Sequence, residues 1–243
     1  MAGMLRVAGF QHVGARKEQQ DSWDSLSAGS VVFAAMADGM GGMEGGKHAS
    51  ATAIRSSLQW CTTSAEPLGT RLVKAQLEAS DAVRLEAREK SLEGDMGSTL
   101  LLAAVEDGKL FWSSSGDSRI YLVRQGCLIQ LTRDHTFGSQ LARRAAAEGH
   151  TPEQATQAEL RQLTSWLGIN DLREIDSPDT PIPLQYGDWV ILCSDGCYDA
   201  LPEAIAADGS PGALAGELVN LAISRGLAWQ DNATCVALQW AES

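Results

Sequence analysis

Asp38, Asp117, Asp195 and Asp231 each sit beside a glycine or an asparagine where a hydrophobic run stops or starts. Carboxylates placed in that way can converge on hard cations, because Mg²⁺ and Mn²⁺ favour oxygen ligands. The runs are Val31 to Ala37 before Asp38-Gly39, Leu110 to Ser115 before Gly116-Asp117, Trp189 to Ser194 before Asp195-Gly196, and Ala233 to Trp240 after Asp231-Asn232. A short apolar run stopped by glycine reads as a buried strand emerging into a loop, so each aspartate is expected at the rim of the core, facing a shared cleft. Asp38 is the natural bridging ligand, having two oxygens to share, and Asp195 and Asp231 are then terminal ligands. Two divalent cations ~3.5–4 Å apart can lower the pKa of a shared water and aim it at phosphorus. Arg16, in Gly14 to Asp21 after the first strand, can clamp a phosphoryl group through its planar fork. Asp21 is placed to join the metal shell through water.

The elements that must position these residues read as follows. Leu5–Phe10 is a first strand. The glycine-dense stretch Asp38 to Gly46 lets the backbone approach a ligand closely, and it feeds a helix starting near Gly46 whose N-terminus favours anions. Helical stripes recur at Ala51, Ile54, Leu58 and Cys61, at Leu68 to Val83, and at Leu214 to Ala222. Leu100–Val105 and Leu110–Ser114 are joined through Asp107-Gly108, and Arg119–Val123 and Cys127–Leu131 through Gln125-Gly126. Strands connected so tightly must be antiparallel, which counts against a doubly wound nucleotide-binding fold. Residues 134–170 interrupt the strand pattern with polar helical stretches at Gln140–Glu148 and Pro152–Leu163, the second capped by Thr151. That segment reads as a mobile insertion lying over the domain and outside its centre. The order of elements predicts sheets sandwiched between helices.

Length and composition bound the rest. A chain of 243 residues, 44% hydrophobic and 21% charged, can bury a full core in one α/β domain. The net charge of −12 argues against nucleic acid and membrane as partners. The five cysteines form no CxxC pair and read as small core hydrophobes, although Cys193 and Cys197 flank Asp195. With no signal peptide and no long apolar run, a reducing cytoplasm is the expected location. The four histidines, His12, His48, His135 and His150, are expected in surface or capping roles.

Six segments in order carry a family resemblance: Arg16 with Gln19-Gln20-Asp21, Ala37 to Gly42, Met96-Gly97-Ser98-Thr99, Gly116 to Arg119, Cys193 to Gly196, and Asp231 to Thr234. Together they resemble the motifs of bacterial metal-dependent serine/threonine phosphatases of the PPM, or type 2C, family, over about Arg6 to Trp240. The resemblance implies an α/β (α+β) fold, a four-layer α-β-β-α sandwich with two antiparallel sheets, making one domain over residues 1–243 with a flap at about 134–170. It implies a binuclear Mn²⁺ or Mg²⁺ centre in which Asp38 bridges, the Gly39 carbonyl contacts one ion, Asp195 and Asp231 ligate the other, and Asp21 acts through water. It further implies a third, looser ion at Asp117, a phosphate-binding Arg16, phosphorylated proteins as substrates, and a paired serine/threonine kinase. The same centre acting on a small phosphometabolite, or a silent phosphoprotein-binding module, are the alternatives. Two positions depart from the pattern. Gln20 stands where an acidic residue is usual, removing a charge from the outer metal shell. Met40 stands where many eukaryotic relatives have a histidine proposed as general acid, which leaves the proton donor unassigned, with metal-bound water the first guess.

Overall fold

A computed structural model of the chain describes residues 3–41, 45–149 and 155–242. Two antiparallel sheets stack face to face. One contains β1 (Gly3–His12), β7 (Arg119–Arg124), β8 (Cys127–Gln130), β10 (Trp189–Cys193) and β11 (Ala233–Glu242), in the order β1-β11-β10-β7-β8. The other runs β2-β3-β5-β6-β9, from β2 (Asp21–Ala28), β3 (Val31–Gly41), β5 (Leu100–Glu106), β6 (Lys109–Ser115) and β9 (Ile182–Pro183), with β4 (Met96–Ser98) paired to the end of β3. Helices α1 (Gly45–Thr63) and α2 (Leu68–Glu89) cover the second sheet, and α6 (Pro211–Ser224) covers the first.

Period-2 alternation explains the layering, since successive strand residues face opposite sides. Along β3, Phe33, Ala35 and Ala37 pack under α1 and α2, whereas Ala34 and Met36 face the opposite sheet. In β11, Ala233, Cys235 and Ala237 lie under α6, and Val236 and Leu238 point inward. Strands buried on both faces read as continuous apolar runs, which is why β3, β5, β10 and β11 were visible in the sequence. Both expected hairpins form. Asp107 and Gly108 (φ 49° and 70°) and Gln125 and Gly126 (φ 54° and 80°) take the paired left-handed conformations of a type I′ turn.

Three sequence readings are corrected, and one residue gains a placement. β3 does not open into a loop at Asp38: it continues to Gly41, with Gly39, Met40 and Gly41 opposite Ser98, Gly97 and Met96. Asp21, which the sequence reading assigns to no element, lies at the start of β2, an edge strand whose polar sequence hides it. A single turn of helix, α5 (Asp195–Tyr198), starts at Asp195. The 134–170 segment holds α3 (Phe137–Glu148) and the short α4 (Gln157–Leu160), but it ends in the core, because Leu167 is fully buried and exchanges backbone hydrogen bonds with Ser98. The expected cap Thr151, His150 and the loop positions Gly42 to Glu44 lie outside the described residues. Among the described residues no helix is long and apolar enough to cross a membrane.

Met36 and Leu192 are fully buried between the sheets. Replacing either with alanine should cost about 2–5 kcal/mol of unfolding free energy, read by urea denaturation, whereas Leu85→Ala on exposed α2 should cost little.

Candidate metal centre

The two sheets bring their carboxylates to one end of the sandwich. Asp21 and Asp38 are directly opposed partners in β2 and β3. Asp195 follows β10 and Asp231 precedes β11, strands that are neighbours in the other sheet. Asp117 lies between β6 and β7. All four of the others act electrostatically on Asp38, so every predicted acidic residue reaches the same cleft.

Asp21 is only 3% exposed. Its Oδ2 accepts hydrogen bonds from Ser194 Oγ at 3.0 Å and Thr234 Oγ1 at 2.6 Å, both from the opposite sheet. Ser194 Oγ in turn accepts from the Thr234 amide at 2.9 Å. Oδ1 of Asp21 and Oδ1 of Asp195 are buried with no hydrogen-bond partner among the described residues. Such orphaned carboxylate oxygens are costly in a protein interior, and a cation is the partner that suits them.

The protonation equilibria carry the same message. Burial, partly offset by the Thr234 and Ser194 hydrogen bonds, raises Asp21 to about 7. Burial followed by repulsion from Asp21, Asp195, Asp117 and Asp231 holds Asp38 well above the usual carboxylate range. Asp117 is raised to about 7 by burial and by Asp195 and Asp134, and Asp195 to about 6 by burial and Asp231.

Arg16 stands at the rim. Its guanidinium donates to Asp231 Oδ2 at 2.5 Å, so the expected phosphate clamp is paired with one of the expected ligands. The loop bearing Arg16 is tied to the start of β11. Asn232 Nδ2 donates to the carbonyls of Val13 (2.8 Å) and Glu18 (3.0 Å), Asn232 Oδ1 accepts from the Gln20 amide at 2.8 Å, and the Ala15 amide donates to the Gln230 carbonyl at 2.8 Å. Gln20 itself serves through its backbone, its carbonyl accepting from the Gly39 amide (3.2 Å) and Ser50 Oγ (2.5 Å). Gly39 is sterically required, because a Cβ there would meet the Gly46 carbonyl oxygen at 2.0 Å where α1 starts.

Several residues that do this positioning carried no role in the sequence reading. Thr99 Oγ1 accepts from the Asp38 amide at 2.9 Å and pairs with Ser118 Oγ at 2.9 Å. His135, expected on the surface or at a cap, is buried; its Nδ1 accepts from the Gly116 amide at 3.1 Å and its own amide donates to the Gly116 carbonyl at 3.0 Å, which fixes the loop bearing Asp117. Burial lowers its pKa, favouring the neutral, accepting imidazole. His12 does cap, accepting from the Gly14 amide. Their only signal was position within or beside the recurring segments.

One cavity borders the carboxylates and a second borders the paired ends of β3 and β4. One of about 350 Å³ is bordered by Asp117, Asp195, Arg119, Ser139 and Arg161, and so lies between the cleft and α3–α4. The other, about 630 Å³, is bordered by Met40, Met96, Trp166, Arg84 and Arg88. The smaller one touches the acidic cluster directly.

A family model described as protein phosphatase 2C matches residues 8–211. The chain belongs to the protein phosphatase 2C family. The serine/threonine phosphatase stp of Listeria innocua is 33% identical over 174 residues, covering 70% of this chain and 68% of that protein. The catalytic domain of the serine/threonine phosphatase PstP, solved in complex with two manganese ions, superposes with a TM-score of 0.75 at 28% identity, covering 99% of this chain and 100% of that one. PppA of Pseudomonas aeruginosa superposes with a TM-score of 0.78 at 27% identity, covering 97% of each chain. The α-β-β-α architecture of this phosphatase is thus that of its family.

The raised carboxyl pKa values fix a sign for stability. A folded state that holds its protons more tightly than the unfolded chain loses stability as pH rises from the unfolded value near 4 through the folded values of about 6 and 7. Chelator-treated phosphatase should therefore lose Tm between pH 5 and pH 7.5, by ~2–4 °C for each kcal/mol involved. Asp21→Asn should flatten that slope in a thermal scan.

Proposed function

We propose that this phosphatase hydrolyses phosphoserine and phosphothreonine in proteins at the carboxylate cleft, using Mn²⁺ or Mg²⁺. The observation that carries the reading is the convergence of five aspartates, two with orphaned buried oxygens, beside an arginine at the rim. An all-oxygen donor set suits hard divalent ions. Asp38 would bridge two of them, with the Gly39 carbonyl on one side, Asp195 and Asp231 on the other, and Asp21 acting through water; Asp117 would serve a third. Once bound, such ions activate the attacking water and neutralise charge on the phosphoryl oxygens.

The chain's own residues do the remainder. Arg16, 57% exposed in its side chain, is free to exchange Asp231 for a phosphoryl group, offering two parallel donors to it. Ser194 and Thr234 hold Asp21 in one orientation across the sheets. Thr99 fixes the backbone of Asp38, and His135 that of the Asp117 loop. Residues 134–170 act as a flap: α3 and α4 border the cavity at Asp117 and Asp195, where the polypeptide flanking a phosphoresidue would lie. No side chain acts as nucleophile, so Cys193 and Cys197 have no part in the hydrolysis. The proposed setting is a single domain in a bacterial cytoplasm, opposed to a serine/threonine kinase.

The test is hydrolysis of p-nitrophenyl phosphate and of phosphoserine peptides with Mn²⁺, with Mg²⁺ and with EDTA. Activity should require the metal, and peptides should be preferred to phosphometabolites; the reverse preference would favour a metabolite phosphatase. Asp38→Asn should remove nearly all turnover from a folded protein, and retention of half the activity would refute the bridging role. Arg16→Ala should act mainly on KM for phosphopeptide, and a fall confined to kcat would make it a transition-state contact instead. Asp117→Asn should slow turnover while the two tightest ions, counted by calorimetry, remain.

A further inference from the structure

Cys193, Cys197 and Cys235 place their sulfurs within 4.8 Å of one another, and all three side chains are buried. The cluster is built from separate elements. Cys193 of β10 is the cross-strand partner of Cys235 of β11, and Cys197 comes from α5. A central atom about 2.3 Å from each of three sulfurs, as in metal–thiolate sites, sets them ~4 Å apart if planar and ~3.5 Å apart if pyramidal, so the three sulfurs must draw together to close around one.

Charge selects the atom. The thiols lie in the core beneath α6 with Ile191, Leu214, Leu218 and Ala237; Arg119, the cross-strand partner of Cys193, is already held by both oxygens of Asp134 and is not left to balance a charge on sulfur. A net charge buried there without a partner would be heavily penalised. Three thiolates leave two negative charges on a monovalent ion and one on a divalent ion, but none on a trivalent centre. We infer that Cys193, Cys197 and Cys235 form a binding site for a trivalent, thiophilic arsenical. With arsenite the reaction balances as As(OH)₃ plus three thiols giving As(SR)₃ plus three waters. Three As–O and three S–H bonds break, three As–S and three O–H bonds form, and nothing is oxidised or reduced.

The site lies beneath the acidic cleft. Asp195 sits between Cys193 and Cys197, and Thr234, which holds Asp21, precedes Cys235. Drawing the sulfurs together pulls on both segments, so loading should slow hydrolysis; this consequence rests on the proposed function, whereas binding does not. Entry requires local opening around α5, a four-residue helix, so loading is slow in onset.

The experiment incubates the reduced full chain with arsenite, removes excess by desalting, and reads native mass and arsenic X-ray absorption. One arsenic per chain with three sulfur neighbours is expected. Cys235→Ser and Cys197→Val should each weaken retention ~10-fold or more, equivalent to at least about 1.4 kcal/mol, and substitution of the exposed Cys127 by serine should change nothing. Hydrolysis should fall on loading and return with a small dithiol. No retained arsenic, fewer than three sulfur neighbours, or loss of binding in Cys127→Ser would overturn the site, and the absorption spectrum of the unsubstituted chain decides even where a cysteine variant misfolds. Bound arsenic with unchanged hydrolysis would overturn the coupling to Asp195. A chain that binds arsenic but hydrolyses nothing beforehand would refute the proposed function and leave this site standing.

Discussion

A buried carboxylate held across two sheets organises this molecule. Asp21 belongs to the sheet under α1 and α2, yet its hydrogen bonds come from Ser194 and Thr234 of the other sheet. Its strand partner is Asp38, and Asp195 stands close enough to repel both. An interior of low effective dielectric does not tolerate that much like charge unless it is protonated or countered by a cation. The fold therefore concentrates negative charge where the sheets meet, and the surrounding polar network keeps the carboxylates from turning away from one another.

The rest of the architecture supports that arrangement. Inter-sheet packing by Met36, Leu101, Leu192 and Val236 fixes the separation of the two strand pairs that carry the aspartates. Asn232 ties the Arg16 loop to β11, which holds the rim arginine beside Asp231. Gly39 lets α1 begin against β3 without an intervening side chain. His135 restrains the loop bearing Asp117, and Thr99 the stretch of β3 bearing Asp38, whose displacement would spread the cluster.

Much of this was legible in the sequence, for a physical reason. Asp38, Asp195 and Asp231 adjoin strands buried on both faces, and such strands appear as unbroken apolar runs with abrupt ends. The hairpins were legible because Asp-Gly and Gln-Gly sit where left-handed conformations are required. β2 was not, because an edge strand with one wet side carries Asp21, Ser22, Asp24 and Ser25 and resembles a loop. The roles of Ser194, Thr234 and Asn232 arise from register between strands distant in sequence, which no local pattern records. The burial of Leu167 is not legible, because one buried residue in a polar segment leaves no periodicity. The family resemblance, carried by motifs in order, reached further than periodicity did, and the matched family model and relatives agree with it.

The most direct test of the central claim is a calorimetric titration of chelator-treated protein with Mn²⁺ at pH 6.5, repeated in buffers of different ionisation enthalpy. The account predicts two tightly bound ions per chain, with protons released as they displace those held by the raised carboxyls of Asp21, Asp38 and Asp195. Tight binding without proton release, or no binding by the folded protein, would contradict it.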